Sequence, residues 1–285
     1  MQQKIQIFLA ALLQVLYKVG VELIDRIIPK YDKVIKAWDI LTSDDEVEAY
    51  LEMANIFAVK RLHYNDHGPV HSRIVAGSAM AIYQVLLARG FTPSVVRDGV
   101  GDVEDSLVVT LMGAYLHDIG NGVHRTLHPV YSALLADRLT MKILGKLYGL
   151  GKRAYMLKQE VMHAVFCHDE AYTCLTFEGA VAKVADGTDM AEGRARAPYE
   201  EGKNDIHALS ALAIREVYVG PGEKRPLAIH VHMDDEAGIF QVDEVLGKKI
   251  ATSGLAPHVE VKTFVRGAPW VTRTFETTWS LPNLA

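Results

Sequence analysis

The sequence predicts a mainly α protein with a small C-terminal α+β module. Two observations carry that prediction. Apolar residues recur at helical spacing from Gln3 to about Val217, and after Val217 the pattern changes to short strand-like runs around one further helix. A third observation concerns chemistry: twelve histidines occur, and nine of them lie between His63 and His207, several beside aspartates. With 285 residues and 49% hydrophobic content the chain can bury a sizeable core, which excludes collagen-like, low-complexity and wholly disordered readings.

From Gln3 to about Leu62 the helical spacing runs through Ile5, Leu9, Leu12, Leu13 and Leu16, then Val47, Leu51, Ala54 and Ala58. Pro29 and the cluster Thr42-Ser-Asp-Asp45 punctuate it. Within it, Ile7 to Leu16 is too short to span a bilayer and lacks a small-residue cleavage site, so it reads as a buried or oligomer-forming helix, with a membrane-surface helix as the alternative. The next helix runs from Val70 to about Arg89 and is closed by Gly90 and Pro93. Ser106 to Leu116 is almost wholly apolar and reads as the buried central helix, ending in His117-Asp118 where Gly120-Asn-Gly122 breaks the pattern. Helices are expected over His128–Leu147, Lys158–His168, Glu178–Met190 and Asp205–Val217. Beyond them, Pro226–Met233 and His258–Val265 read as strands, with Ile239–Ser253 helical between them. Gly220-Pro-Gly222 is turn chemistry that lets Ile214–Val219 pair with Leu227–Met233. The tail from Gly267, with Trp270, Phe275 and Trp279, is expected to dock on the molecule.

The formal charge of -5 supplies no global basic field, so long nucleic acid is disfavoured and any phosphate binding must be local. Two cysteines, Cys167 and Cys174, match neither a metal knuckle nor a disulfide framework, and the expectation is a reducing cytoplasm. No membrane span is expected.

Imidazole with carboxylate is the donor set of borderline divalent metals. His67 and His71 are four apart, as are His124 and His128, so each pair can share a helix face. His117-Asp118 is the most informative dipeptide. Adjacent residues of a regular helix point about 100° apart and reach one ion only where the helix ends. An apolar helix that ends in two ligand-type residues is hard to explain as packing, because an unpartnered buried charge is costly. His163 reads as a supporting or core residue, and His230 and His232, two apart on a strand, as a solvent-facing pair.

The order His71, His117-Asp118, Asp186 resembles the signature of the HD-domain superfamily of metal-dependent phosphohydrolases. The surrounding strings Tyr64-Asn-Asp-His-Gly-Pro-Val-His71, Leu116-His-Asp-Ile-Gly-Asn121 and Val184-Ala-Asp-Gly-Thr-Asp189 are similar to those around its motif positions. The resemblance covers residues 63 to about 215 and implies an HD-domain helical bundle. It divides the chain into an N-terminal helical segment (1–60), the HD phosphohydrolase domain (61–216), and the α+β module with its tail (217–285). It further implies a first metal held by His71, His117, Asp118 and Asp186, with a metal-activated water attacking phosphorus. His128 and His168 match the subset that binds two metals, with Asp118 as the bridge. The expected cofactor is therefore one or two divalent transition-metal ions, drawn from Mn, Fe, Ni, Co and Zn. The GYP signature is absent, which argues against a cyclic-di-GMP phosphodiesterase, and Asn121-Gly122 stands where guanosine tetraphosphate hydrolases carry an acidic pair.

Asp118 and His124 are the expected catalytic residues. Asp66, His67, Asn121, Arg125, Arg194 and Arg196 are expected at the substrate, the arginines because a planar guanidinium binds phosphate through two bonds. The expected activity is hydrolysis of a phosphomonoester or phosphodiester in a small nucleotide-like or otherwise phosphorylated metabolite. Two alternatives use the same residues: a di-iron oxygenase of the HD type, and a regulatory protein that binds metal or nucleotide without turnover. The C-terminal module is expected to serve oligomerisation or to cover the substrate, and the apolar N-terminal helix is compatible with a homo-oligomer.

Overall fold

The computed structural model describes residues 15–191, 206–277 and 279–282. These form a mainly helical body and one five-stranded sheet in the order β1-β2-β3-β4-β5. The expectations for residues 1–14, Arg194 and Arg196 lie outside the described residues.

The body is built around α5 (Val103–Leu116), buried at every position from Asp105 to its end. A reciprocal cap starts this helix: the Asp102 carboxylate accepts from the Asp105 N–H at 3.0 Å, and the Asp105 carboxylate accepts from the Asp102 N–H at 2.8 Å. Around it pack α1 (Leu23–Ile27), α2 (Asp32–Thr42), α3 (Asp45–Asn55), α4 (Pro69–Ala88), α6 (His128–Tyr148), α7 (Lys152–Phe166) and α8 (Phe177–Thr188). Pro69 and Pro129 sit in the first turns of α4 and α6, where the missing N–H costs nothing. Helix α4 is long and apolar enough to cross a membrane, yet 78% of its apolar window is buried inside the molecule, as befits a core helix.

The sheet gathers distant parts of the chain. Strand β1 (Tyr17–Lys18) pairs antiparallel with β2 (Ile214–Pro221), which forms a hairpin with β3 (Leu227–Met233). Strand β4 (Val259–Val265) lies parallel to β3, and β5 (Ala268–Arg273) returns antiparallel to β4. The β3-to-β4 crossover carries a π-helical stretch, Gln241–Leu246, that runs directly into α10 (Gly247–Ser253). Helix α9 (Ile206–Leu212) precedes β2.

Two expectations change. The helix expected to reach Val217 stops at Leu212, because Ile214, Val217 and Val219 turn into the sheet core and pairing with β3 satisfies the backbone. Tyr17–Lys18, read as part of a helical segment, is a strand tied to β2, and the Val19 N–H extends that tie to Val217 O at 2.8 Å. The boundary drawn at residue 216 falls inside β2, and one apolar cluster runs without interruption from Ile24 through α5 to Val261 in β4.

The tail docks as its aromatics suggested. Trp279 Nε1 donates to Cys174 O at 2.9 Å, Thr277 Oγ1 donates to Ala251 O at 2.7 Å, and Leu281 is buried beside Gly254.

Candidate metal centre and its cavity

Helix α5 ends at Leu116. His117 keeps helical backbone angles, Asp118 moves to φ -104° and ψ 0°, and a 3-10 turn, Ile119–Gly122, follows. That change of winding brings two adjacent side chains to one point: His117 Nε2 lies 3.2 Å from Asp118 Oδ2. His71, from the first turn of α4, places Nε2 3.1 Å from His117 Nε2, 3.5 Å from Asp118 Oδ2 and 3.3 Å from Asp186 Oδ1. Asp186 comes from the last turn of α8. Four donor atoms from three helices thus face one point.

A second set adjoins the first. His128, at the start of α6, and His168, just past α7, bring their Nε2 atoms within 3.0 Å of each other. Asp118 Oδ1, the oxygen not used by the first set, is 3.4 Å from the former and 3.5 Å from the latter. Gly120 makes this junction possible. A Cβ there would lie 2.2 Å from His128 O and 2.4 Å from Ser132 N, and the Gly120 N–H itself donates to Ser132 Oγ at 2.8 Å.

The partners of the other ring nitrogens determine what these sets can hold. His117 Nδ1 donates to Ala114 O at 2.8 Å, His128 Nδ1 to Arg125 O at 3.1 Å and His168 Nδ1 to Val165 O at 2.6 Å. A carbonyl oxygen only accepts, so in each ring the proton sits on Nδ1 and the neutral Nε2 turns a lone pair inward. His71 Nδ1 makes the matching contact with Asp189 Oδ2 at 2.7 Å. Lone pairs then face lone pairs and carboxylate oxygens in a buried site, an arrangement that a cation satisfies. The protonation tendencies agree. Burial, with help from His168, pushes the His128 imidazole down to about 3, and burial lowers His168 as well. Burial works to raise the carboxyls of Asp118 and Asp186. At Asp186 it is outweighed by the Lys249 ammonium, so that carboxyl stays well below the usual carboxylate range. The buried groups His71–His117–Asp118, His117–His168–Asp186 and Asp118–His128–His168 could each hold a metal ion, and nitrogen with carboxylate oxygen is a donor set suited to one.

The centre opens into a cavity of about 390 Å³. One wall comes from the helical body, with Tyr64, Asn65, His67, Arg125 and Asp169. The other comes from the crossover of the sheet module, with Phe240, Gln241, Glu244, Lys248 and Lys249. Arg125 lies against the Tyr64 ring at 5.6 Å and donates from Nη1 to Asn121 Oδ1 at 3.2 Å. Asn121 does not line the cavity; it is buried behind the centre and donates from Nδ2 to Asp118 Oδ1 at 2.9 Å.

The remaining expected residues scatter. His67 lines the cavity, its Nδ1 donating to Asn65 O at 2.5 Å and its ring 5.8 Å from that of His71. Asp66 instead accepts from the Gly68 N–H at 2.8 Å at the start of α4 and borders a different hollow between β1, β2 and α4. His124, expected as a catalytic residue, is exposed and outside the cavity wall. Its Nδ1 accepts from the Thr126 N–H at 2.9 Å, because the chain between the 3-10 turn and α6 swings toward solvent there. His163 Nε2 accepts from the Leu175 N–H at 2.9 Å, a supporting role. His230 and His232 lie on the partly exposed sheet face with Tyr218 and Phe264, and His232 stacks on Phe264 at 4.5 Å.

Two participants went unread in the sequence. Asp189 stands three residues after Asp186, the spacing that returns a side chain to the same side of a helix. Lys249 stands on the buried stripe Val242, Leu246, Ile250, Ser253, and a lysine beside the apolar residues of an inward face is the signal that would have found it. Burial works to lower its amine, but the Asp186 carboxylate outweighs burial and raises it.

No family model matches the chain, and no solved structure matches it. It is similar to the uncharacterized protein MJ1020 of Methanocaldococcus jannaschii, 47% identical over 236 residues, which is 82% of this chain and 88% of that protein.

Proposed function

We propose, for a chain that belongs to the same family as the uncharacterized protein MJ1020 of Methanocaldococcus jannaschii, a metal-dependent phosphohydrolase activity of the HD-domain kind on a small phosphorylated metabolite. One observation carries the reading: six buried residues form overlapping groups that could hold a metal, and the two oxygens of Asp118 face different histidine pairs. His71, His117, Asp118 and Asp186 would hold one ion, and Asp118, His128 and His168 a second. When bound, such ions supply Lewis acidity, lowering the pKa of a water and neutralising charge on phosphoryl oxygens.

The chain's own residues do the rest. The carbonyls behind His117, His128 and His168 fix each ring in the tautomer that keeps Nε2 a donor to metal. Asn121 orients Asp118 from behind. Arg125, held against Tyr64 at the cavity wall, presents its guanidinium to a phosphoryl oxygen. His67 is the cavity histidine outside the donor sets and is placed to deliver a proton to the leaving oxygen. A cavity of about 390 Å³ suits a substrate of mononucleotide size or smaller and excludes a polymer from full entry.

Metal analysis of the repleted protein, run with phosphate release from mono- and cyclic nucleotides under air and under argon, tests this. About two ions per chain and oxygen-independent phosphate release are expected. Asp118→Ala should lose metal from both sets, and release should fall by about a thousandfold or more. Iron with oxygen consumption and no phosphate release would instead assign an oxygenase, and an inert site a binding protein.

A further inference from the structure

Lys249 belongs to the sheet module, yet its Nζ sits inside the metal centre of the helical body. It donates to Asp186 Oδ2 at 2.6 Å and to His168 O at 3.0 Å, so one buried ammonium touches a residue from each donor set. Its approach is prepared on both sides. On α8, Gly187 follows Asp186, and a Cβ there would lie 2.9 Å from Leu246 Cδ1 and 3.3 Å from Lys249 Cδ, so a larger residue would hold α10 away. Behind α10, Phe275 lies against Gly247, Thr277 bonds Ala251 O, and Leu281 lies against Gly254. The tail clasps the helix that carries the lysine.

The position of the amine is chemically specific. Asp186 turns Oδ1 to His71 Nε2 at 3.3 Å and His117 Nε2 at 3.7 Å, while Oδ2 is taken by Lys249. A carboxylate with one oxygen tied to an ammonium offers a metal the other oxygen. Without the ammonium, Asp186 Oδ2 would be a buried carboxylate oxygen stripped of the one cation that touches it among the described residues, an arrangement that opposes folding.

We propose that Lys249 is a positioning residue, a counter-cation built into the ligand cluster that holds Asp186 to single-oxygen donation and keeps the cluster assembled before any divalent ion arrives. This inference rests on the metal-centre reading above. It gives the sheet module a task in the centre itself: the module supplies charge as well as a wall.

The test uses the full chain and metal alone as probe. Lys249→Met keeps the length of the side chain and removes the charge; Lys249→Arg keeps the charge. In EDTA, Lys249→Met should melt about 10 °C or more below wild type, and saturating Mn²⁺ should close at least about half of that gap, because dications replace the missing positive charge. Loaded with Co²⁺, it should show visible absorption bands displaced from those of wild type as Asp186 gains a second free oxygen. Lys249→Arg should restore the metal-free melting in large part. An equal deficit with and without Mn²⁺, a Co²⁺ spectrum that superimposes on that of wild type, or failure to fold even with Mn²⁺ would overturn the proposal and leave a merely structural lysine. Wild-type protein that takes up no ion would reject the metal centre itself, whereas wild type that binds while Lys249→Met behaves identically rejects this inference alone.

Discussion

Asp118 sends Oδ2 toward His71 and His117 and Oδ1 toward His128 and His168, and Asn121 fixes it in that pose. Such a role was legible in the sequence because carboxylate and imidazole side by side at the end of an apolar helix have no packing rationale. His124 illustrates the opposite case: its four-residue spacing to His128 implied a shared helix face, but α6 begins only at His128, so the spacing carried no geometry. Asp189 and Lys249 escaped notice because a side chain that acts through a ligand shows its role only in three dimensions. Away from the centre, Glu160 supplies a residue-level prediction. Burial, then the nearby carboxylates of Glu178 and Asp98, push its carboxyl up to about 7. Its folded pKa lies above the unfolded value near 4.5, so folding takes up a proton. The associated stability is complete below about pH 4.5 and is lost as pH rises through 7. Glu160→Gln should therefore gain on wild type as pH is raised, and melting curves at pH 5 and pH 8 should show the variant's advantage growing with pH.

Among the elements, the 3-10 turn Ile119–Gly122 does the joining, since it lays the end of α5 against the start of α6. Gly120→Ala would force a methyl into His128 O and Ser132 N, both backbone atoms that cannot rotate away. We expect a loss of about 1–3 kcal/mol in stability, with the His128–His168 set displaced first. Thermal melting together with metal stoichiometry checks this: stability should fall and the ion count should drop from two toward one. Helix α5 was readable because it is apolar on all sides, and β2 with β3 because turn residues separate two apolar runs. Strand β1 was not, since a two-residue strand is defined by its partner, and Lys18 meets Glu216 across 198 positions. The competing helical reading of residues 213–217 failed for a related reason, because a short apolar run serves helix and strand equally until something pairs with it.

In the whole molecule, the helical body supplies the six donors and the sheet module supplies the opposite cavity wall. The continuous apolar cluster couples the two. Disturbing the tail should then reach the centre without touching a ligand. Trp279→Ala combined with Leu281→Ala removes the hydrogen bond to Cys174 O and the buried contact at Gly254. That double variant should melt several degrees lower and bind Mn²⁺ more weakly than wild type, which calorimetric titration would register. The helical architecture was legible because periodicity is local. That the module shares the cavity was not, because it depends on the packing of α10 onto α8, which no local pattern encodes.

The pairing of β1 with β2 bears on how the protein comes into being. A ribosome releases Tyr17 and Lys18 early, but their hydrogen-bonding partner is synthesised only after the whole helical body, and the wall residues from Phe240 to Lys249 follow later still. During translation the nascent chain therefore carries all six donors before it can shield them, and an unpaired strand before it can close the sheet. For that interval the ligand cluster lacks one wall of its cavity and β1 lacks its partner, and the same late event, the arrival of the C-terminal module, supplies both.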